Sequence, residues 1–298
     1  MDLKLRRATA GLRLLGSSQS SLKNARTVQD EMGQLMEDSR AAFEDVSLGG
    51  LEASYALPPE QAAGGVILYL HGGGYALGSL VYAKGIGSRL ACSAGVKTLC
   101  LAYRLTPEHP HPAALEDSLH AYRFLLGQGY TPGRILLCGD EAGGGICFAL
   151  CLRLKSLGLP QPGGVIAISP WVDLTLSGPS YEKNRYKDPV LDRDALRCCA
   201  ECYAKGQDLT LPCISPLYGN LEGLPPSLLF AGGNELLLNE IYAMHKSLVL
   251  SGVDSRIHIA RNMWNSYMLY GGVEGERAFK LLSNFVQERL NGPTVPAK

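Results

Sequence analysis

Arg134-Ile-Leu-Leu-Cys138, then Gly139-Asp140-Glu141-Ala142-Gly143, then the segment running on to Leu157 decide how this chain is read. The first piece is a short apolar run of the kind that fills a strand buried on both faces. The last has the length and spacing of a helix. Between them, two glycines bracket a tight turn. They permit a strained backbone that presents the middle side chain, here Glu141.

The same alternation extends outward in both directions. Apolar runs at Val66–Leu70, Val96–Tyr103, Gly164–Ser169, Ser227–Ala231 and Arg256–Ala260 are predicted strands, each bounded by turn residues. Helical spacing recurs at Ala113–Leu126, Glu240–Ser251 and Glu276–Leu290. Repeated strand–helix alternation predicts an α/β fold with a mostly parallel, doubly wound sheet. Gly49-Gly50 marks a turn into a strand-like stretch, Leu51–Leu57, whereas residues 1–45 read as helical. Residues 181–212 are polar, helical in spacing and without a strand. These two segments are expected to form a helical lid, with residues 46–298 as the main domain.

Composition narrows the function classes. The 28 basic and 28 acidic residues give a formal net charge of zero, so no electrostatic footprint for nucleic acid or an anionic membrane is expected. No run reaches transmembrane length, and Arg13 interrupts what would be the apolar part of a signal peptide. Nine cysteines lie largely in apolar runs; Cys199 and Cys202 form a lone CxxC without the partners of a zinc set. Free thiols in a cytoplasmic protein, with no metal and no cofactor, are the expectation.

His71-Gly72-Gly73-Gly74-Tyr75 follows directly on the first core strand. Consecutive glycines let backbone N–H groups face a cavity, an arrangement that holds the oxyanion of a tetrahedral intermediate. The bland alternative is a tight surface turn.

Together with Tyr103-Arg104-Leu105-Thr106-Pro107-Glu108, Pro112–Asp117, Ser169–Leu174, Ser215-Pro216-Leu217 and Gly223-Leu224-Pro225-Pro226, these motifs resemble the hormone-sensitive-lipase-like branch of the α/β-hydrolases. The resemblance runs from about residue 45 to the C-terminus. It implies an α/β-hydrolase fold with a lid and an oxyanion hole at Gly73, Gly74 and Ala142, with Tyr75 on the ligand side. It also implies triad positions at 141, 235 and 265. In this sequence they carry Glu141, Glu235 and Asn265, where the family has serine, an acid and histidine. A homodimer through the closing segment Ala278–Leu290 is expected by the same analogy.

Serine attack needs a hydroxyl and a base that takes and returns its proton. Glu141 has no hydroxyl, and an Asn265 amide does not shuttle protons near neutral pH. Carboxylate nucleophiles act at this elbow in dehalogenases and epoxide hydrolases, but with Asp and a histidine that activates water. His258 alternates with Ile257 and Ile259 and is expected to face away, His109 and His111 belong to a structural loop, and Ser118 and Ser266 lack the elbow context. The Glu141 carboxylate is expected to turn into the hole of Gly73, Gly74 and Ala142, with Asn265 donating to Glu141 and Glu235 together.

The leading expectation is therefore a homologue without ordinary esterase activity that binds a small apolar or amphipathic ligand. Two alternatives stand beside it. One is altered chemistry with Glu141 as base or electrostatic anchor; the other is residual carboxylic-ester hydrolysis.

Overall fold

The computed structural model describes residues 19–291 of the chain. Helix α1 (Gln19–Met36) leads into the hairpin β1 (Ala42–Leu48) and β2 (Leu51–Leu57). Then follow β3 (Val66–Leu70), α2 (Leu80–Ala94), β4 (Thr98–Leu101), α3 (Ala113–Gly127), β5 (Ile135–Asp140), α4 (Ala142–Ser156) and β6 (Gly164–Ile168). A short helix α5 (Ser180–Lys183) and α6 (Arg193–Ala204) fill the insertion. The chain closes with β7 (Ser227–Gly232), α7 (Leu238–Leu250), β8 (Ser255–Ala260) and α8 (Gly272–Asn291).

The eight strands form one sheet in the order β1-β2-β4-β3-β5-β6-β7-β8, antiparallel around β2 and parallel from β4 onward. Strand alternation divides the core in two. Val66, Leu68 and Leu70 of β3 join a cluster with Leu119 and Tyr122 of α3 and Phe148 of α4. Ile67 and Tyr69, between them, join Ile86 and Leu90 of α2 and Phe279 and Leu282 of α8. Helices thus cover both faces, as a parallel sheet requires.

Chain order reverses between β3 and β5, where Leu70 sits in register with Gly139. The loops leaving these two strands diverge to opposite faces and open a crevice, the usual ligand position in such sheets. The glycine loop and the Glu141 turn are those two loops.

Two expectations about the N-terminal part meet the structure differently. Residues 1–18 of the expected helical segment lie outside the described residues. Residues 42–45 are not helical; they form the start of β1, because the Gly49-Gly50 turn folds Ala42–Leu48 back in register on Leu51–Leu57. Helix α2, absent from the sequence expectation, carries Gly85 and Gly87 in its interior. At Gly85 a Cβ would strike the backbone of Gly33, so the small residue permits α1 to cross α2 in close contact. The insertion holds α5 and α6, of which α6 is amphipathic, burying Leu196, Cys199, Ala200 and Tyr203 at helical spacing.

Candidate active site

Strand β5 ends at Asp140 and α4 begins at Ala142, leaving Glu141 alone at the turn with φ 47° and ψ −111°. For a non-glycine residue that backbone is strained and must be held from outside. Its N–H donates to Ile168 O (2.9 Å), and its carbonyl accepts from Gly145 (3.1 Å) and Trp171 (2.9 Å). Close packing fixes it from below, since a Cβ on Gly143 would collide with the carbonyl of Leu70.

The Glu141 side chain points into the glycine loop. Its Oε2 accepts from Gly73 N at 2.8 Å and Gly74 N at 2.7 Å, and the Ala142 N–H also favours its charge. Burial pushes its pKa up, and these three amides pull it back. Oε1 is buried without a hydrogen-bond partner.

Asp140 anchors the same loop rather than the cavity chemistry. It accepts from Tyr69 Oη (2.6 Å), Gly72 N (2.8 Å) and Tyr82 Oη (3.1 Å). Burial raises its pKa to about 6 against the lowering by Tyr69, with the neighbouring Glu141 charge adding to the rise. His71 is buried flat against Tyr103, ring centroids 4.2 Å apart, and desolvation lowers its pKa to about 4, so it is neutral. From above, Gln29 of α1 donates to Gly72 O (3.2 Å). Arg26 reaches Ala76 O (2.8 Å) and pairs with Glu108 (2.8 Å), tying α1 across the loop.

The acid loop follows β7. Glu235 is fully buried, and its Oε2 accepts from Gly232 N and Ser169 Oγ, both at 2.7 Å. Burial pushes its pKa up to about 8, opposed by those two donors and reinforced by the charge of Asp188. Asp188, in the insertion, binds the amides of Val190 (2.9 Å), Leu191 (3.3 Å) and Leu236 (3.1 Å). It so fastens the lid to the acid loop; burial lifts its pKa to about 6 despite these amides.

Asn265 lies on the loop after β8, almost fully buried. Its Nδ2 has no partner, so the expected double hydrogen bond to Glu141 and Glu235 is not made. The link between the acid loop and the β8 loop is made by Ser169. Its Oγ donates to Glu235 and accepts from Ser266 N (2.9 Å), so the serine, not Asn265, joins the two loops. Nothing in the sequence except the Ser169-Pro170 step after β6 signalled that role. Asp188 carried no signal beyond its Asp-Pro turn.

Glu141, Gly73, Gly74, Asn265 and Ser266 line one cavity of about 70 Å³, roofed by Met32 of α1 and Leu191, Leu196 and Cys199 of the lid. Tyr75 is not on its wall. It is stacked on Tyr203 of α6 (3.8 Å) and tilted against Trp171 (5.8 Å), so it carries the lid rather than the ligand side. His258 meets Phe230 edge-on at 6.0 Å, on the α8 face. Among the described residues no cluster of three or more His, Cys, Asp or Glu side chains could hold a metal, and all nine cysteines are unpaired.

An elbow at a strand–helix junction, backed by a glycine loop at the sheet's switch point, matches known proteins closely. The model of the α/β-hydrolase fold matches residues 67–269. This chain belongs to the hormone-sensitive-lipase-like branch of the α/β-hydrolase family. It is 38% identical to an acetyl-hydrolase of Streptomyces hygroscopicus, covering 81% of each chain. It is 31% identical to an esterase of Acinetobacter venetianus over 82% of this chain and 81% of that one. The crystal structure of an esterase from the bacterial hormone-sensitive lipase family superposes with a TM-score of 0.89 at 33% identity, covering 97% of this chain and 99% of that one. Among the described residues no helix is long and apolar enough to cross a membrane.

Proposed function

We propose that Glu141 stands at the nucleophile position and Asn265 at the histidine position of this esterase scaffold. In this reading the protein binds a small ligand without ordinary acyl transfer. The observation that carries it is the pair of hydrogen bonds from Gly73 N and Gly74 N to Glu141 Oε2. Those amides are the donors that stabilise the oxyanion in ester hydrolysis. Here the chain's own carboxylate fills their place, and a substrate carbonyl has nowhere to polarise. Glu235 then serves as a structural acid, held by Ser169 and Gly232, with no imidazole to orient.

The cavity sets the ligand class. Its roughly 70 Å³ is about half the size of an engineered cavity that admits benzene. An acetyl-sized amphipathic group fits, which agrees in scale with the acetyl-hydrolase name of one relative. Glu141 Oε1, Gln29 Oε1, Asn265 Nδ2 and Ser266 Oγ line it without partners, so a ligand with an amine or hydroxyl donor is favoured over a plain ester. The free Oε1 also supports a second reading, in which Glu141 acts as a base on such a ligand. Nine unpaired thiols favour a cytoplasmic setting, and pairing of two copies through α8 is proposed on family analogy.

The test is hydrolysis of p-nitrophenyl acetate and butyrate by the native protein, Glu141→Ala and the double variant Glu141→Ser/Asn265→His. Native inactivity with an active double variant is expected. Native turnover that disappears in Glu141→Ala would replace the silent-binder reading with the catalytic one.

A further inference from the structure

A second and larger cavity lies beside the first. It has a volume of about 600 Å³, within the range of sites for small organic ligands. Met32, Leu35 and Met36 of α1 form one wall, and the loop Met263–Tyr270 with the first turn of α8 forms the other. Met32 and Tyr270 also border the elbow cavity, so the two spaces are neighbours, but none of Gly73, Gly74 or Glu141 lines the larger one. Its rim exposes apolar side chains: Leu35 is 61% and Val273 84% accessible. Apolar surface left open around a concavity marks a binding site more often than a bare surface.

One cation faces this apolar groove. Arg89 of α2 lines it, with the guanidinium held over the Phe279 ring (4.6 Å) and donating through Nη1 to Leu269 O (2.6 Å). Among the described residues it forms no ion pair. Glu276 and Asp38 act on it only through space, and Asp38 is engaged by Arg40 at 2.6 Å. Two further donors on the groove's residues are buried without partners, Trp264 Nε1 and Tyr267 Oη. A preorganised guanidinium with free N–H groups is suited to a carboxylate. Unpaired buried donors are costly until an acceptor arrives. Glu274 is the single carboxylate on the lining and is not among the charges felt by Arg89.

We propose that the groove between α1 and the Met263–Glu274 segment binds an alkyl carboxylate, its chain along the methionines and leucines and its head on Arg89. The site is independent of the chemistry at Glu141 and stands whether or not the elbow is silent.

The experiment is calorimetric titration of the full chain with decanoate and with 1-decanol, each below its aggregation limit. Trp264 fluorescence serves as a second readout. Decanoate is expected to bind saturably, one per chain, and at least about tenfold tighter than decanol. Arg89→Met should weaken decanoate at least about tenfold and leave decanol within about twofold. Val273→Glu, an exposed rim change that leaves the core intact, should weaken decanoate more than decanol. Glu141→Ala should change neither. Equal affinity for acid and alcohol, decanoate binding that survives Arg89→Met, or an absence of saturable binding would overturn the proposal. So would loss of binding in Glu141→Ala, which would place the ligand in the elbow cavity instead.

Discussion

The glycine loop after β3 and the loop after β8 border the same cavity but are satisfied in different ways. On the first, the amides of Gly72, Gly73 and Gly74 all find carboxylates supplied by the elbow, Asp140 for one and Glu141 for the other two. On the second, Asn265 Nδ2, Ser266 Oγ, Trp264 Nε1 and Tyr267 Oη are buried with no partner. Buried polar groups are almost always paired in stable folds, and exceptions call for an explanation. The backbone donors of the glycine loop are therefore satisfied within the chain, leaving Glu141 Oε1 and Gln29 Oε1 as spare acceptors, while the β8 loop keeps side-chain groups unpaired. On the proposed function, that asymmetry suits a ligand whose donor meets Glu141 Oε1 and whose acceptor meets Asn265 Nδ2.

The largest expected effect comes from breaking the glycine-loop side. Glu141→Ser empties the space between Gly73 N and Gly74 N, and Asn265→His puts a base on the cavity wall. The double variant should hydrolyse p-nitrophenyl acetate at least about a hundredfold faster than the native protein, because an intact oxyanion hole and triad supply factors well above that. Either single variant should gain little, since the groups act as a unit. Initial rates at saturating ester decide the matter.

Next comes stability, where the two acids of the elbow should separate. Asp140→Ala strands three buried donors at once, Tyr69 Oη, Tyr82 Oη and Gly72 N, and should cost about 3 kcal/mol or more. Glu141→Ala frees Gly73 N and Gly74 N toward a cavity that admits water, and should cost about 1 kcal/mol or even stabilise. Urea denaturation of both variants measures the difference. Equal losses would mean that Glu141 is a structural anchor like its neighbour and not an occupant of a site.

Much of this arrangement was legible in the sequence, for a physical reason. The elbow and glycine loop are built from backbone, and backbone needs glycine at fixed spacings, so Gly139, Gly143 and His71–Gly74 announce them. Strand positions showed because apolar runs buried on both faces leave no room for charge. Other features left no such trace. Helix α2 was hidden by Gly85 and Gly87, which serve its crossing with α1 and lower helical propensity at the same time. The β1 strand lacked alternation because four of its seven residues are polar or small, and its edge position buries only Leu48. The join between the acid loop and the β8 loop runs through Ser169, whose Oγ accepts from Ser266 N across 97 residues of sequence. A link of that kind is decided by tertiary packing alone.

The β8 side yields a smaller and pH-dependent effect. Burial lifts Glu235 from the ordinary 4.5 to about 8, so the folded chain holds a proton that the unfolded chain releases. Its contribution to stability is complete below about pH 4.5 and is lost as pH climbs toward 8. Asp140 and Asp188, lifted to about 6, follow the same sign but are spent by about pH 6 to 7. His71, lowered to about 4, opposes them as pH passes the unfolded value near 6.5 and then falls silent. The interval from pH 7 to 8 therefore lies beyond the aspartates and His71, and Glu240, raised well above its ordinary value by burial, acts with the same sign as Glu235. Glu235→Gln keeps an acceptor for Gly232 N and Ser169 Oγ while removing the ionisation, so its melting temperature should fall a few degrees less across that interval than that of the native protein. Parallel profiles would mean that Glu235 is ionised throughout, and hence that a donor from the β8 loop, Asn265 foremost, reaches its free Oε1 in solution. In that event Asn265 Nδ2 would be satisfied within the chain, and a ligand acceptor in the cavity would have to displace Glu235 to reach it.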